Sequence, residues 1–207
     1  MPMDEWGIDV LIGGSQKAFM LPTGLAFISF SKKAWALVET ARCPHFYFDV
    51  RAEKRANENG ESVFSTAVMH IRALDVVLEQ VQRHGLISLF ARIQTLASAT
   101  RNAVTAMGFE IFPQSPSPSV TAIRVPGSID GQKVRTDMEK SHHIIVMGGQ
   151  DQLKGKIIRI GHMGAITNAD CLATLRALAA SVNSLMPGFV TDIKLEQALK
   201  QARAELQ

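Results

Sequence analysis

A lysine directly behind two glycines, a serine and a glutamine, at the end of an apolar run, is where this chain first offers chemistry. The stretch is IGGSQKAFMLP, residues 12–22, and the lysine is Lys17. Residues 6–12, WGIDVLI, are dense in aliphatic and β-branched side chains and stop at Gly13 and Gly14. That pattern predicts a short buried strand closing in a tight turn. Positions just past strand ends are where α/β proteins build sites. A phosphate-binding P-loop is excluded, because GxxxxGK[ST] needs glycine before the lysine and a hydroxyl after it. Gln16 and Ala18 stand there instead. A second apolar run, Leu25 to Phe30, follows Thr23-Gly24. A lysine between two buried strands is expected to be partly desolvated, which disfavours the ammonium and suits an amine nucleophile. The plainer reading is a solvated surface lysine after a turn.

Arg159 is the second residue to single out. It lies in KIIRIGHMG, among Ile157, Ile158 and Ile160 and ahead of Gly161 and Gly164. An unpaired guanidinium in an apolar strand is costly, so it needs a partner. One partner would be a nearby carboxylate of the chain. The other would be a substrate carboxylate, gripped by arginine's planar fork. The six histidines carry less. His142 and His143 are adjacent and in a strand would face opposite ways, His70 has no ligand at i+4, and His162 fits packing best. No metal site has defensible ligand spacing. Asp75 and Glu79 share a helix face that reads as solvated.

Composition narrows the partners. A net charge of +3, scattered over a chain with 6% aromatics, excludes a basic, base-stacking surface for nucleic acid. No stretch reaches the roughly 18 apolar residues of a membrane helix, so no membrane contact is expected. The acidic start, MPMDEWGID, is not a secretory signal. Cys43 and Cys171 lack CxxC spacing, which favours a reduced, cytoplasmic protein. At 207 residues and 46% hydrophobic the chain can bury one or two cores.

The elements that must position Lys17 and Arg159 follow from periodicity. Strands are predicted at 6–12 and 24–30, then a helix over 32–42 capped by Ser31. Residues 51–62, RAEKRANENGES, read as a helix end and exposed loop. Ser65 or Thr66 caps a helix reaching Arg83, and a second helix runs from Leu86 to Met107 with Gly108 closing it. After the loop PQSPSPS come strands at 120–125, 143–149 and 156–161, a short helix near 130–141, and closing helices at about 169–185 and 191–206. The second half is thus a small α+β domain with a mostly antiparallel sheet, and the first 30 residues look like the tail of a larger sheet. That tail starts without an element to cover it, so a missing upstream segment is expected.

WGIDVLIGGSQKAFMLPTGLAFISFSKKAW near the start and IIVMGGQDQLKGKIIRIGHMG near the end resemble matching stretches of class V aminotransferases, the fold-type I pyridoxal-phosphate enzymes. The alanine–glyoxylate and serine–glyoxylate group is the nearest. The resemblance covers essentially the whole chain. It implies an α/β fold: the C-terminal part of the cofactor-binding large domain over 1–82, then the small domain over 83–207.

On that resemblance Lys17 is the lysine that holds pyridoxal 5′-phosphate covalently and shuttles the substrate proton. Gln16 resembles the residue that hydrogen-bonds the cofactor phosphate, and Arg159 the substrate-carboxylate arginine. The family's Thr-Pro, whose threonine reaches the phosphate of the neighbouring subunit, is replaced by Ser65-Thr66 in FSTAV, and either hydroxyl could serve. The implied reaction passes an amino group from a small amino acid, alanine or serine, to glyoxylate or a similar 2-oxo acid, in a homodimer or with a missing N-terminal half as partner. The half that would carry the phosphate loop, the ring-stacking aromatic and the pyridinium aspartate has no counterpart here, and Asp9 is not placed like that aspartate. Alternatives are an inactive or split-protein fragment, or another class V reaction such as C–S bond cleavage, for which neither cysteine sits in an obvious active-site loop.

Overall fold

The structure, a computed structural model, describes residues 2–207 and divides into two compact units, Met1–Gln80 and Val81–Gln207.

The first unit opens on an antiparallel hairpin of β1, Val10–Gly14, and β2, Ala26–Phe30, with Ile12 opposite Ile28. The strands are less buried than their composition predicts: Ile12 is 71% and Ile28 51% exposed. A two-stranded hairpin buries little by itself, and no described residue packs over this face of it. Helix α1, Lys32–Thr40, starts as expected at Ser31, whose Oγ accepts the Ala34 amide at 3.1 Å. The same hydroxyl donates to Asp9 at 2.7 Å, tying the helix start to the strand.

Residues 51–62 were expected as a helix end and loop, yet Val50–Glu58 forms a helix, α2. Charged and amide side chains dominate it, and Val50, Ala52 and Ala56 are its only apolar residues, too few for a long apolar stripe to announce it. Its signal is the cap: Asp49 accepts the amides of Arg51 and Ala52. Helix α3, Val68–His84, then leads across the boundary between the units.

The second unit holds the hydrophobic core. Helix α4, Leu86–Ala106, is set off from α3 by Gly85 at φ +77° and closed by Gly108 at φ +100°, a conformation that only glycine adopts without strain. Strand β3, Val120–Arg124, helix α5, Gly131–His142, and strands β4, Met147–Gly148, and β5, Ile157–Gly161, follow. The sheet order is β3-β5-β4 and both pairings are antiparallel. Helices α6, Asn168–Leu185, and α7, Asp192–Glu205, complete the unit. Leu96, Met107, Ile123, Ile158, Leu175, Leu178 and Leu199 are wholly or almost wholly buried in one cluster.

The strand expected at 143–149 contracts to two residues. His143 caps α5 in the left-handed region, φ +56°, and the Ile144 amide bonds back to Met138, so the chain is still leaving the helix there. His142 and His143 are therefore a helix end and its cap, not neighbours in a strand. Among the described residues there is no cluster of three potential metal ligands, and no helix is long and apolar enough to cross a membrane.

Candidate active site

Lys17 lies on the 15–25 loop that joins β1 to β2. Ser15, fully buried, holds the neck of that loop. Its amide bonds the Leu25 carbonyl, its carbonyl accepts the Leu21 amide, and its hydroxyl donates to Pro22 at 2.7 Å and accepts from Leu25 at 3.2 Å. Inside this frame the Met20 amide donates to the Lys17 carbonyl, and Met20 adopts φ +57°, uncommon for a side chain of its size. The Phe19 and Phe27 rings meet at 5.0 Å and anchor the loop on β2. The backbone around Lys17 is thus tightly determined.

The side chain of Lys17 is exposed, which corrects the expectation that neighbouring strands desolvate it. The reason is the open hairpin: a two-stranded ribbon leaves the loop that joins its strands without a layer over Lys17. Gln16, also exposed, folds its amide back over Gly14, where a β-carbon would sit 2.8 Å from Oε1.

Ser65 and Thr66 are exposed in the segment before α3. The first helical turn after them touches the lysine loop through His70. A β-carbon on Gly24 would lie 2.7 Å from His70 Nε2, so only glycine permits this approach. That nitrogen is buried without a hydrogen-bond partner. Ser15 and His70 are the positioning residues that sequence reading missed as such. The serine inside GGSQK and a helical histidine in phase with Leu74 were the only hints.

Asp9 is occupied. It pairs with Lys33 at 2.7 Å and accepts from Ser31, and the Lys33 bond first, with the Ser31 bond second, holds its carboxyl below the usual carboxylate range. It is not free to serve a cofactor.

In the second unit Arg159 is half-buried on β5, opposite Ala122 of β3 and Met147 of β4. It makes no ion pair with a carboxylate among the described residues; its Nε donates to the Gly148 carbonyl at 2.8 Å. The alternative of a salt bridge within the chain is therefore not realised. His162, three residues on, is buried, and Thr121 Oγ1 lies 2.8 Å from its Nε2. It packs, as expected.

The donor set of the first unit suits one kind of ligand. An exposed primary amine on a rigid loop condenses with an aldehyde, while the Gln16 amide and the Ser65 and Thr66 hydroxyls are neutral donors for a phosphate. Lys17 and Gln16 fit pyridoxal phosphate by residue type, and among the described residues no hydrogen bond joins Ser65 or Thr66 to them. In the second unit a guanidinium with its outer edge unengaged suits a carboxylate.

No protein-family model matches the chain. Among curated proteins it is 40% identical over 187 residues to the small subunit of a soluble hydrogenase from Synechococcus sp. (strain PCC 6716), covering 89% of this chain and 48% of that protein. It is 39% identical over 174 residues to the L-aspartate–glyoxylate aminotransferase of Paracoccus denitrificans (strain Pd 1222), covering 83% and 44%. Among solved structures, pyridoxamine–pyruvate aminotransferase from Mesorhizobium loti superposes with a TM-score of 0.91 at 26% identity, over 99% of this chain and 53% of that one. The chain spans about half the length of the curated relatives it matches. In sequence and fold the chain is thus similar to about half the length of known aminotransferases, among them a glyoxylate aminotransferase and a pyridoxamine–pyruvate aminotransferase.

Proposed function

We propose that this chain supplies the lysine and the carboxylate-binding arginine of a pyridoxal-phosphate aminotransferase that passes an amino group from a small amino acid, alanine or serine, to glyoxylate or a similar 2-oxo acid. The observation that carries the reading is the Ser15-braced loop presenting Lys17 just past a strand end, in a chain related to glyoxylate aminotransferases.

Pyridoxal phosphate, when bound, supplies an electron sink that makes the substrate Cα proton removable. The chain's own residues do the rest. Lys17 Nζ would hold the cofactor through its aldehyde carbon and, once freed by an incoming amino substrate, would take the proton from the substrate Cα. Proximity is the advantage such an amine offers, and the braced loop fixes the backbone that carries it. The Gln16 amide holds the phosphate, and one of the Ser65 and Thr66 hydroxyls reaches the phosphate of the cofactor in the neighbouring subunit. Arg159, in the second unit, grips the carboxylate shared by amino acid and 2-oxo acid.

The remaining half of such a site belongs to residues outside this chain. We take the working species to be cytoplasmic, and either homodimeric or completed by an N-terminal half. Coverage of about half of each relative equally supports a split protein, or a fragment inactive by itself.

The test is to add pyridoxal phosphate to the purified chain, reduce with borohydride and map the modified lysine by peptide mass spectrometry. Stoichiometric labelling at Lys17 and nowhere else is expected. Labelling scattered over several lysines would sink the assignment for the isolated chain; restored transamination on mixing with a complementary N-terminal half would then identify a split enzyme.

A further inference from the structure

Strand β4 is only two residues long and lies at the sheet edge, paired on one side with β5. Such a strand frays unless something other than its ladder holds it. Two arginines do so. Arg135, on α5, donates from Nε to the Val146 carbonyl at 2.8 Å and from Nη1 to Gln132 Oε1 at 2.7 Å. Arg159, on β5, donates from Nε to the Gly148 carbonyl at 2.8 Å.

The two guanidiniums lie on opposite faces of β4. Arg159 is paired with Met147 and so shares its face, whereas Gly148, the next residue, faces the other way. On that other face a β-carbon at Gly148 would lie 3.0 Å from Arg135 Nη1 and 3.2 Å from its Cδ. The glycine is what lets Arg135 lie flat against the strand.

Taking the proposed carboxylate role of Arg159 as its basis, we propose that Arg135 is a positioning residue for Arg159: it fixes the Val146–Gly148 backbone, and that backbone fixes the Arg159 fork. With Nε committed to Gly148, neither Nη atom of Arg159 has a hydrogen-bond partner among the described residues. The terminal amino groups form a fork aimed by one short bond. A guanidinium aimed in this way loses less side-chain freedom on binding a carboxylate than a loose one. Its aim depends on the Gly148 carbonyl staying in place. Arg135 keeps it there, two residues upstream through Val146 and by direct packing on Gly148.

The test reads the Arg159 Nε–Hε signal in the 15N-labelled chain, assigned by its loss in Arg159→Lys. Arg135→Met is expected to speed solvent exchange of that proton about tenfold, the effect of loosening one hydrogen bond, while the backbone amides of Ile123 and Ile158 keep their exchange rates. Unchanged exchange at Arg159 overturns the proposal. So does a parallel rise at Ile123 and Ile158, which would mean that Arg135 merely stabilises the unit. If Arg135→Met does not fold, Gly148→Ala decides in the same way, since it keeps both arginines and only displaces Arg135. Addition of sodium glyoxylate separates the underlying reading. A shift of the Arg159 signal that is weakened in Arg135→Met supports both; no shift in the unaltered chain removes the carboxylate role and leaves the clamp to the exchange data.

Discussion

The Ser15 hydroxyl donates to the Pro22 carbonyl at 2.7 Å from a fully buried position, so the two ends of the lysine loop are closed by a side chain and not only by backbone. Lys17 is exposed at the surface of that loop, braced but uncovered. The loop's shape is therefore independent of whatever contacts Lys17.

Ser15→Ala tests that independence. It leaves the Pro22 carbonyl and the Leu25 amide without their partner, at a local cost of about 1–3 kcal/mol. The expected outcome is faster hydrogen exchange at the Leu25 amide, together with reduced borohydride labelling of Lys17 by pyridoxal phosphate. Undiminished labelling would show that the brace does not prepare the lysine.

His162 predicts a pH dependence in the second unit. Burial first, and the Arg101 guanidinium second, push its imidazole down to about 4. The folded protein keeps the ring neutral, whereas the unfolded chain takes up a proton from about pH 6.5 downward. The unfolded state binds more protons in that window, so this contribution is full above about 6.5, declines as pH falls towards about 4, and is flat below. The shift corresponds to roughly 3 kcal/mol. Urea unfolding between about pH 7 and about pH 4.5 should show the decline, and His162→Gln should flatten it. Equal slopes in the two proteins would place the dependence elsewhere.

Gly149→Ala should be far more damaging than Gly148→Ala. A β-carbon at Gly149 would meet the Leu153 carbonyl oxygen at 2.1 Å, and a backbone atom cannot swing aside. At Gly148 the obstacle is the flexible end of Arg135. Overpacking of this kind costs about 1–3 kcal/mol, and the Gly149 variant belongs at or above the top of that range. A thermal melt matching that of Gly148→Ala would contradict the backbone account.

Most elements were legible because their signals are local. The Ser31 cap, the long apolar stripes before and after Gly85, and the alternation of VTAIRV each announce their element within a few residues. Helix α2 was missed because its apolar side is only Val50, Ala52 and Ala56 among charged residues, and β4 was overestimated because HIIVM has strand composition while the exit from α5 consumes its first residues. Ser65 and Thr66 stand where periodicity places the start of α3, but their role rests on resemblance alone.

The chemistry of the lysine and arginine stretches was determined by sequence alone: which residue types stand there, in what order, and which family they resemble. Sequence could not say what surrounds them, because burial and aim are set by residues distant in the chain. Only the tertiary structure showed that the hairpin leaves Lys17 exposed and that Ser15 closes its loop across to Pro22 and Leu25. The tethering of Arg159 by a carbonyl eleven residues away is likewise a product of strand pairing, which one-dimensional spacing does not record.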